Sequence, residues 1–284
     1  MANTIASRVY RDKYRRATLD TLLRRALIAE KVCAVDSSDV KRIQSPYSST
    51  PTAVVQAIAG TYTPAEYTTT DDTLTVTDEF IVSEHIYDFE EVLTQFDIFA
   101  ARTEQQMFEV ANKIDKFVLN NLCEDATGAY TTPAGGFSAA NINTIMSNLA
   151  AKVAGFADAY NGLFLVIENT EVAGFVQAQA TNGFSFSDMA LKNGFMNSYM
   201  GIDIHVTRAG TFADETLGTT TYTNAGHRVF GVKNVTTYAS PRGVRFEEKS
   251  VSGKTGLEVV TWGYIGFKLW APKTDLIVDI TVSA

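Results

Sequence analysis

The stretch IFAARTEQQMFEVANKIDKFVLNNL, residues 98–122, decides the fold class. Met107, Val110, Ile114, Phe117 and Val118 recur at helical spacing on one stripe, and Arg102, Gln106, Glu109, Lys113, Lys116 and Asn120 fill the opposite side. Asp97 is placed to cap its start and Thr127-Gly128 to stop it. At 1.5 Å per residue such a helix is roughly 35 Å long, enough to cross a whole domain. Ile114 and Phe117 are expected in the monomer core.

Working outward, helices and strands alternate after this helix. Ser138 caps a second helix carrying Ile142, Ile145, Leu149 and Val153, followed by a buried strand, Leu163 to Ile167, and a short helix from about Thr170. Residues 183–201 read as mixed loop and helix. The remainder is mostly strand: Ile202, Ile204 and Val206, then Arg228 to Val232, Val244 to Phe246, Leu257 to Trp270, and Leu276 to Val282. Before the long helix, Tyr14, Leu19, Leu22, Leu23, Leu27, Ile28 and Val32 mark an amphipathic helical arm ending near Val35 and Asp36. A linker with Pro46 and Pro51 follows. Ala53 to Ile58 and the alternating run from Thr73 to Val82 then read as a long two-stranded excursion with a Thr-rich tip. Such a hairpin is marginal alone and needs something to lie on.

Charge is segregated along the chain. Residues 1–42 hold ten Lys and Arg against five acids, a net of +5, whereas residues 43–101 hold ten acids and no Lys or Arg. Two solvated faces of opposite sign are the plain reading; an arm and its docking surface are the sharper one. The whole chain carries 24 Lys and Arg against 32 Asp and Glu, which disfavours wrapping of nucleic acid by the entire surface and confines any DNA contact to local patches. No stretch approaches the eighteen or so apolar residues of a membrane span, and the N-terminus lacks the basic-then-apolar order of a signal peptide, so the expected setting is a cytoplasm, with no membrane partner. Cys33 and Cys123 fit buried thiols, although sequence leaves a bridge between them open.

No phosphate-binding, dinucleotide, nucleophile-elbow, H-E-x-x-H or C-x-x-C motif is present, and His85, His205 and His227 form no ligand pair by spacing. Asp71-Asp72 and Glu90-Glu91 lack the order of a calcium loop and read as acidic patches. Asn234-Val-Thr236 matches a glycosylation sequon that a cytoplasmic chain would not use. No catalytic residue, metal ligand or cofactor is therefore singled out, which lowers the prior for an enzyme and no more, since catalytic groups can be assembled from residues distant in sequence.

The order of segments resembles the major capsid proteins of tailed bacteriophages, the Hong Kong 97-type capsid fold. Local phrases agree: Thr73-Leu-Thr-Val-Thr-Asp-Glu-Phe80 running into Asp88-Phe-Glu-Glu, the helix segment Ala111 to Val118, Met189-Ala-Leu-Lys-Asn-Gly-Phe-Met before Gly201-Ile-Asp-Ile-His205, and Trp262 to Pro272 before the last strand. The resemblance implies an α+β fold with an N-terminal arm (1–45), an extended β-hairpin E-loop (46–84), a peripheral domain (85–154) with spine helix 98–122, an axial domain (155–240) and a return to the peripheral domain (241–284). It also implies self-assembly through hexamers and pentamers into an icosahedral virion shell around double-stranded DNA, formed in the host cytoplasm with a portal. The E-loop begins about fifty residues in, which leaves no room for a fused scaffold and implies a separate scaffolding protein. Residues 43–101 contain no lysine for covalent welding, so noncovalent contacts or a cement protein are expected to hold the shell. Arg15, Arg16, Arg24 and Arg25 of the arm are expected to meet Glu79, Glu84, Glu90 and Glu91 of a neighbouring subunit. Two alternatives stand beside this reading: an encapsulin-like cellular shell around a cargo protein, and a soluble α/β enzyme with an unrecognised acid/base pair.

Overall fold

The computed structural model describes residues 27–48, 55, 58, 60, 66, 68–86, 98–157, 162–181, 198–251, 253 and 255–283. Most of the basic segment, Arg15, Arg16, Arg24 and Arg25 included, lies outside this set, as do Glu90, Glu91 and all of residues 183–197.

The long helix α2 runs Ile98–Asp125, 28 residues or about 42 Å. Its stripe of Met107, Val110, Ala111, Ile114, Val118, Leu119 and Leu122 is buried. Phe117 is only partly buried, at the margin of that stripe, which corrects its expected place in the core.

Two sheets pack around this helix in one continuous core. The first is organised by a 13-residue strand, β14 (Leu257–Leu269). One edge of β14 pairs antiparallel with β13 (Arg245–Ser250). Its other edge pairs antiparallel with β4 (Asp78–Ile86) as far as Ile265, and β12 (Thr236–Ala239) pairs antiparallel with β14 from Gly266 to Leu269. The side chain of Thr261 in β14 donates to Gln106 Oε1 at 2.9 Å, a buried bond that ties sheet to helix. The second sheet has six strands in the order β5 (Gly128–Thr131), β15 (Ile277–Thr281), β11 (His227–Val232), β6 (Leu163–Glu168), β8 (Ile202–Thr207) and β7 (Ser198–Tyr199). In β6 the consecutive residues Phe164 to Ile167 have no exposure, the mark of a strand covered on both faces. Helix α3 (Ile142–Ala157) buries Ile142, Ile145, Met146, Leu149 and Val153 there, and α4 (Val172–Thr181) packs beside it. A β-carbon on Gly174 of α4 would lie 1.9 Å from the Phe137 carbonyl oxygen, so only glycine permits this approach.

Three local expectations change. The first described helix, α1, is only Ala29–Val32, and Val35 lies in β1 (Ala34–Asp36), which pairs parallel with β12. The parallel partner, unseen from a local pattern, draws these residues out of the helix. Pro46 lies inside β2 (Arg42–Ser48), opposite Asp71 of β3 (Thr69–Thr75), instead of in a linker. A two-stranded ladder has only edge strands, where a residue without an N–H is tolerated. The alternating run from Thr73 to Val82 is two strands: the chain breaks at Val76 and Thr77, and β4 leaves the excursion for β14. Of the Ala53–Ile58 stretch only Val55 and Ile58 are described, both fully exposed and neither assigned to a strand.

The β2–β3 ladder is rooted by Leu74 and Val76, buried with Ala239 against Ile43 and Trp270. Asp72 accepts from the Ala271 N–H at 2.9 Å and lies 3.1 Å from Lys268 Nζ. Burial opposes ionisation there, yet the Ala271 N–H, Lys268 and the Thr73 N–H together hold the Asp72 carboxyl below its ordinary range. Away from this root, five of the seven residues of β2 are exposed.

Candidate assembly surfaces

Of the residues expected at an inter-subunit contact, Glu79 and Glu84 fall on β4. Glu79 is exposed and opposite Tyr264. Glu84, opposite Val259, lies 3.4 Å from Arg102 Nε of the same chain. One acid of the set thus already has a cation on α2, in a partly exposed pair of the kind that contributes at most about 1 kcal/mol. The structure brings none of the expected arm arginines to these acids, because those arginines lie outside the described residues.

Two recesses that the sequence reading did not anticipate flank α2. Loop residues Arg208 to Thr211 and the helix residues Glu109, Asn112, Lys113 and Lys116 line the first, about 400 Å³. Lys113 and Lys116 both reach Glu215, at 2.6 and 2.7 Å, and these two cations hold the Glu215 carboxyl below its ordinary range. Among the described residues the Arg208 side chain has a 4.0 Å contact with Glu109, and it is 73% exposed. Glu215 is carried by the hairpin of β9 (Asp214–Leu217) and β10 (Thr220–Thr223), whose two-residue Gly218-Thr219 loop uses positive φ at Gly218. The second recess, about 270 Å³, is lined by Phe80, Ile81, Phe117 and Leu217, with Asp78, Glu79 and Lys113 also at its wall. Lys113 lines both. The Leu-Gly-Thr-Thr sequence at 217–220 was the available signal for this hairpin.

The face of the first sheet opposite Thr261 carries a second exposed apolar group. Ile81 (64% exposed) and Arg245 lie on either side of Trp262 in register, and Tyr264 meets Trp262 edge-on with centroids 5.6 Å apart. The Arg245 guanidinium lies 5.5 Å from the Trp262 ring centroid.

Several titratable groups inside the body are engaged in holding it together. Arg228 lies 3.1 Å from Glu168 and 2.7 Å from Glu171, and Glu168 also accepts from the Gly210 and Phe212 N–H groups at 3.0 and 3.3 Å. His227 Nδ1 is 2.9 Å from Asp279. Burial pushes the Cys33 thiol up to about 12 and the Cys123 thiol well above its ordinary value; both are free, so no bridge joins them. Among the described residues no three His, Cys, Asp or Glu side chains are grouped to hold a metal, and no helix is long and apolar enough to cross a membrane.

Asp115 of α2 is 8% exposed and accepts from the Ile28 and Ala29 N–H groups at 2.9 Å each, so it fastens the point where the basic segment enters the body. Burial pushes its carboxyl up to about 6, against the pull of those two N–H groups and of Lys31. A carboxyl raised by folding binds its proton more tightly in the folded state, so its stabilisation is full below 3.8 and is lost as pH rises through about 6. Wild type compared with Asp115→Asn in urea unfolding is expected to lose relative stability across that window. A relative gain would show that the two N–H bonds outweigh burial.

The sequence matches no family model and no curated protein. Solved structures do match. The capsid of the cyanophage P-SCSP1u superposes with a TM-score of 0.69 at 14% identity, over 91% of this chain and 88% of that one. The capsid of an empty GTA particle gives 0.66 at 14% identity, over 91% and 90%. A virus-like particle from Pyrococcus furiosus gives 0.59 at 12% identity, over 94% and 98%. The chain has the mixed α+β fold of phage capsid proteins, as its segment order implied.

Proposed function

We propose that this chain is the major capsid protein of a tailed phage, building an icosahedral virion shell from hexamers and pentamers around double-stranded DNA. The observation that carries this reading is likeness to subunits of assembled capsids along nine-tenths of the chain, with both proteins covered almost end to end. The role that follows is structural instead of catalytic. In this assignment β2–β3 is the E-loop, α2 the spine, the sheet of β4, β13 and β14 the peripheral domain, and the sheet around β6 and β11 the axial domain. Residues before Leu27 form the arm, and its arginines Arg15, Arg16, Arg24 and Arg25 meet Glu79, Glu84, Glu90 and Glu91 of a neighbour. A separate scaffolding protein and a portal complete the particle, which is held by noncovalent contacts or by a cement protein.

A second shell reading, a cellular container for a cargo protein, is favoured by the coverage of the Pyrococcus furiosus particle. The contents of purified particles separate the two: protected double-stranded DNA supports the phage head, whereas one co-purifying protein and no DNA supports the container. Because residues 43–101 hold no lysine, mature particles boiled in detergent with reductant are expected to run as one band near 31.0 kDa. A ladder of heavier species would contradict a noncovalent shell.

A further inference from the structure

We infer that the β9–β10 hairpin is a buttress, spanning from α2 to the start of β4, that fixes the angle at which the β2–β3 excursion of the same copy leaves the body. In a shell that angle bears on how copies are spaced, a consequence that rests on the reading above; the buttress itself is a property of one copy. Among the described residues no ladder joins the hairpin to either large sheet, and a two-stranded hairpin is marginal alone, so side chains must hold it. Its base is locked inside the body. Tyr222 and Asn224 are buried, Asn224 donates to the backbone and side-chain oxygens of Asn120 at 3.2 and 3.1 Å, and Asn120 donates to the Thr211 carbonyl at 3.0 Å. Asp214 closes the base by accepting from the Ala225 N–H at 3.0 Å.

Beyond the base, two contacts carry the hairpin across. Glu215 reaches Lys113 and Lys116 of α2, and three residues further along, roughly 10 Å, the tip meets Asp78, the first residue of β4. The tip contact is close. A β-carbon on Gly218 would overlap Asp78 Oδ1, while Asp78 Oδ2 accepts from the Thr77 hydroxyl at 2.8 Å. Asp78 lies just past Val76 and Thr77, the break at which the chain leaves the β2–β3 ladder for the first sheet. On the ladder side of that break Leu74 and Val76 are buried, and the Val76 N–H donates to the Lys41 carbonyl at 3.0 Å. On the other side β4 pairs with β14 over nine positions. The joint between these two fixed pieces is where the excursion can change its angle, and the hairpin tip is seated on it. Leu217, next to Gly218, walls the apolar recess with Phe80 and Phe117, so the hairpin fills part of the gap between α2 and β4. The Glu215 catch on α2 is partly exposed, and salt therefore weakens it.

The test is hydrogen exchange, read by mass spectrometry on the full-length protein at a concentration where wild type and variants sediment alike, with the thermal midpoint as a folding control. Glu215→Gln should speed exchange of the segment Leu74–Ile81 about threefold or more, together with β9–β10, and leave α3 and the midpoint unchanged. High salt should do the same to wild type and add little to Glu215→Gln. Gly218→Ala should speed the same segment, and should add little once Asp78→Ala has removed the overlapped carboxylate. Faster exchange confined to β9–β10 overturns the inference, since the hairpin would then move without the joint. So does a uniform rise in Glu215→Gln that includes α3 and lowers the midpoint, which would make the pair a general stabiliser. Full additivity of Gly218→Ala and Asp78→Ala overturns it as well. None of these results touches the shell reading, which is decided by what the protein assembles into.

Discussion

Arg228→Ala is expected to lower the unfolding free energy by about 3–5 kcal/mol, because removing one partner of a buried ionic cluster leaves the other charges without compensation. Arg228 is 6% exposed and Glu168 7%, and the guanidinium is the cation that both Glu168 and Glu171 contact. Burial already raises the Glu171 carboxyl against the pull of Arg228, so without Arg228 it is driven further toward its neutral form. The sign follows: protonation then favours the folded variant, and the deficit of Arg228→Ala should shrink as pH falls below neutrality and grow as it rises. Adding Glu168→Gln and Glu171→Gln to Arg228→Met should recover much of the loss by removing all three charges at once. An unchanged unfolding midpoint for Arg228→Ala would mean that water reaches the two carboxylates. The consequence is more than stability, since Glu168 also holds the Gly210 and Phe212 amides and so positions the loop that carries Arg208 to the basic recess.

Ile114→Ala is expected to cost about 2–5 kcal/mol, the range for truncating a large aliphatic side chain in a packed core. Ile114 is 1% exposed within the stripe that joins both sheets. Phe117→Ala should cost less, since Phe117 is only partly buried and lines the open apolar recess. Paired urea titrations of the two variants check this order, and a larger loss at Phe117 would return it to the centre of the core. The sequence could place both residues on one stripe because they are three apart on a helix. It could not place the margin of the stripe, which depends on where β9–β10 comes to lie.

The same distinction runs through the rest of the molecule. Helices α2 and α3 and strands β6, β8, β11 and β15 were legible because their apolar residues recur at the period of a buried face. Strands β2, β9 and β10 were not, because Thr, Ser, Asp and Pro dominate them and their pairing is set by a partner strand. Charge segregation between residues 1–42 and 43–101 was plain from sequence alone. The pairing of Glu84 with Arg102 and the meeting of Lys113, Lys116 and Glu215 were not. The latter joins positions about a hundred residues apart, brought together only by packing of the β9–β10 hairpin on α2.

Whether the chain builds a shell is tested most directly by negative-stain electron microscopy of the purified full-length protein, with size-exclusion chromatography across a concentration series. The account predicts rings, sheets or closed shells whose amount rises steeply above a threshold concentration. A small oligomer of fixed size at every concentration would contradict it.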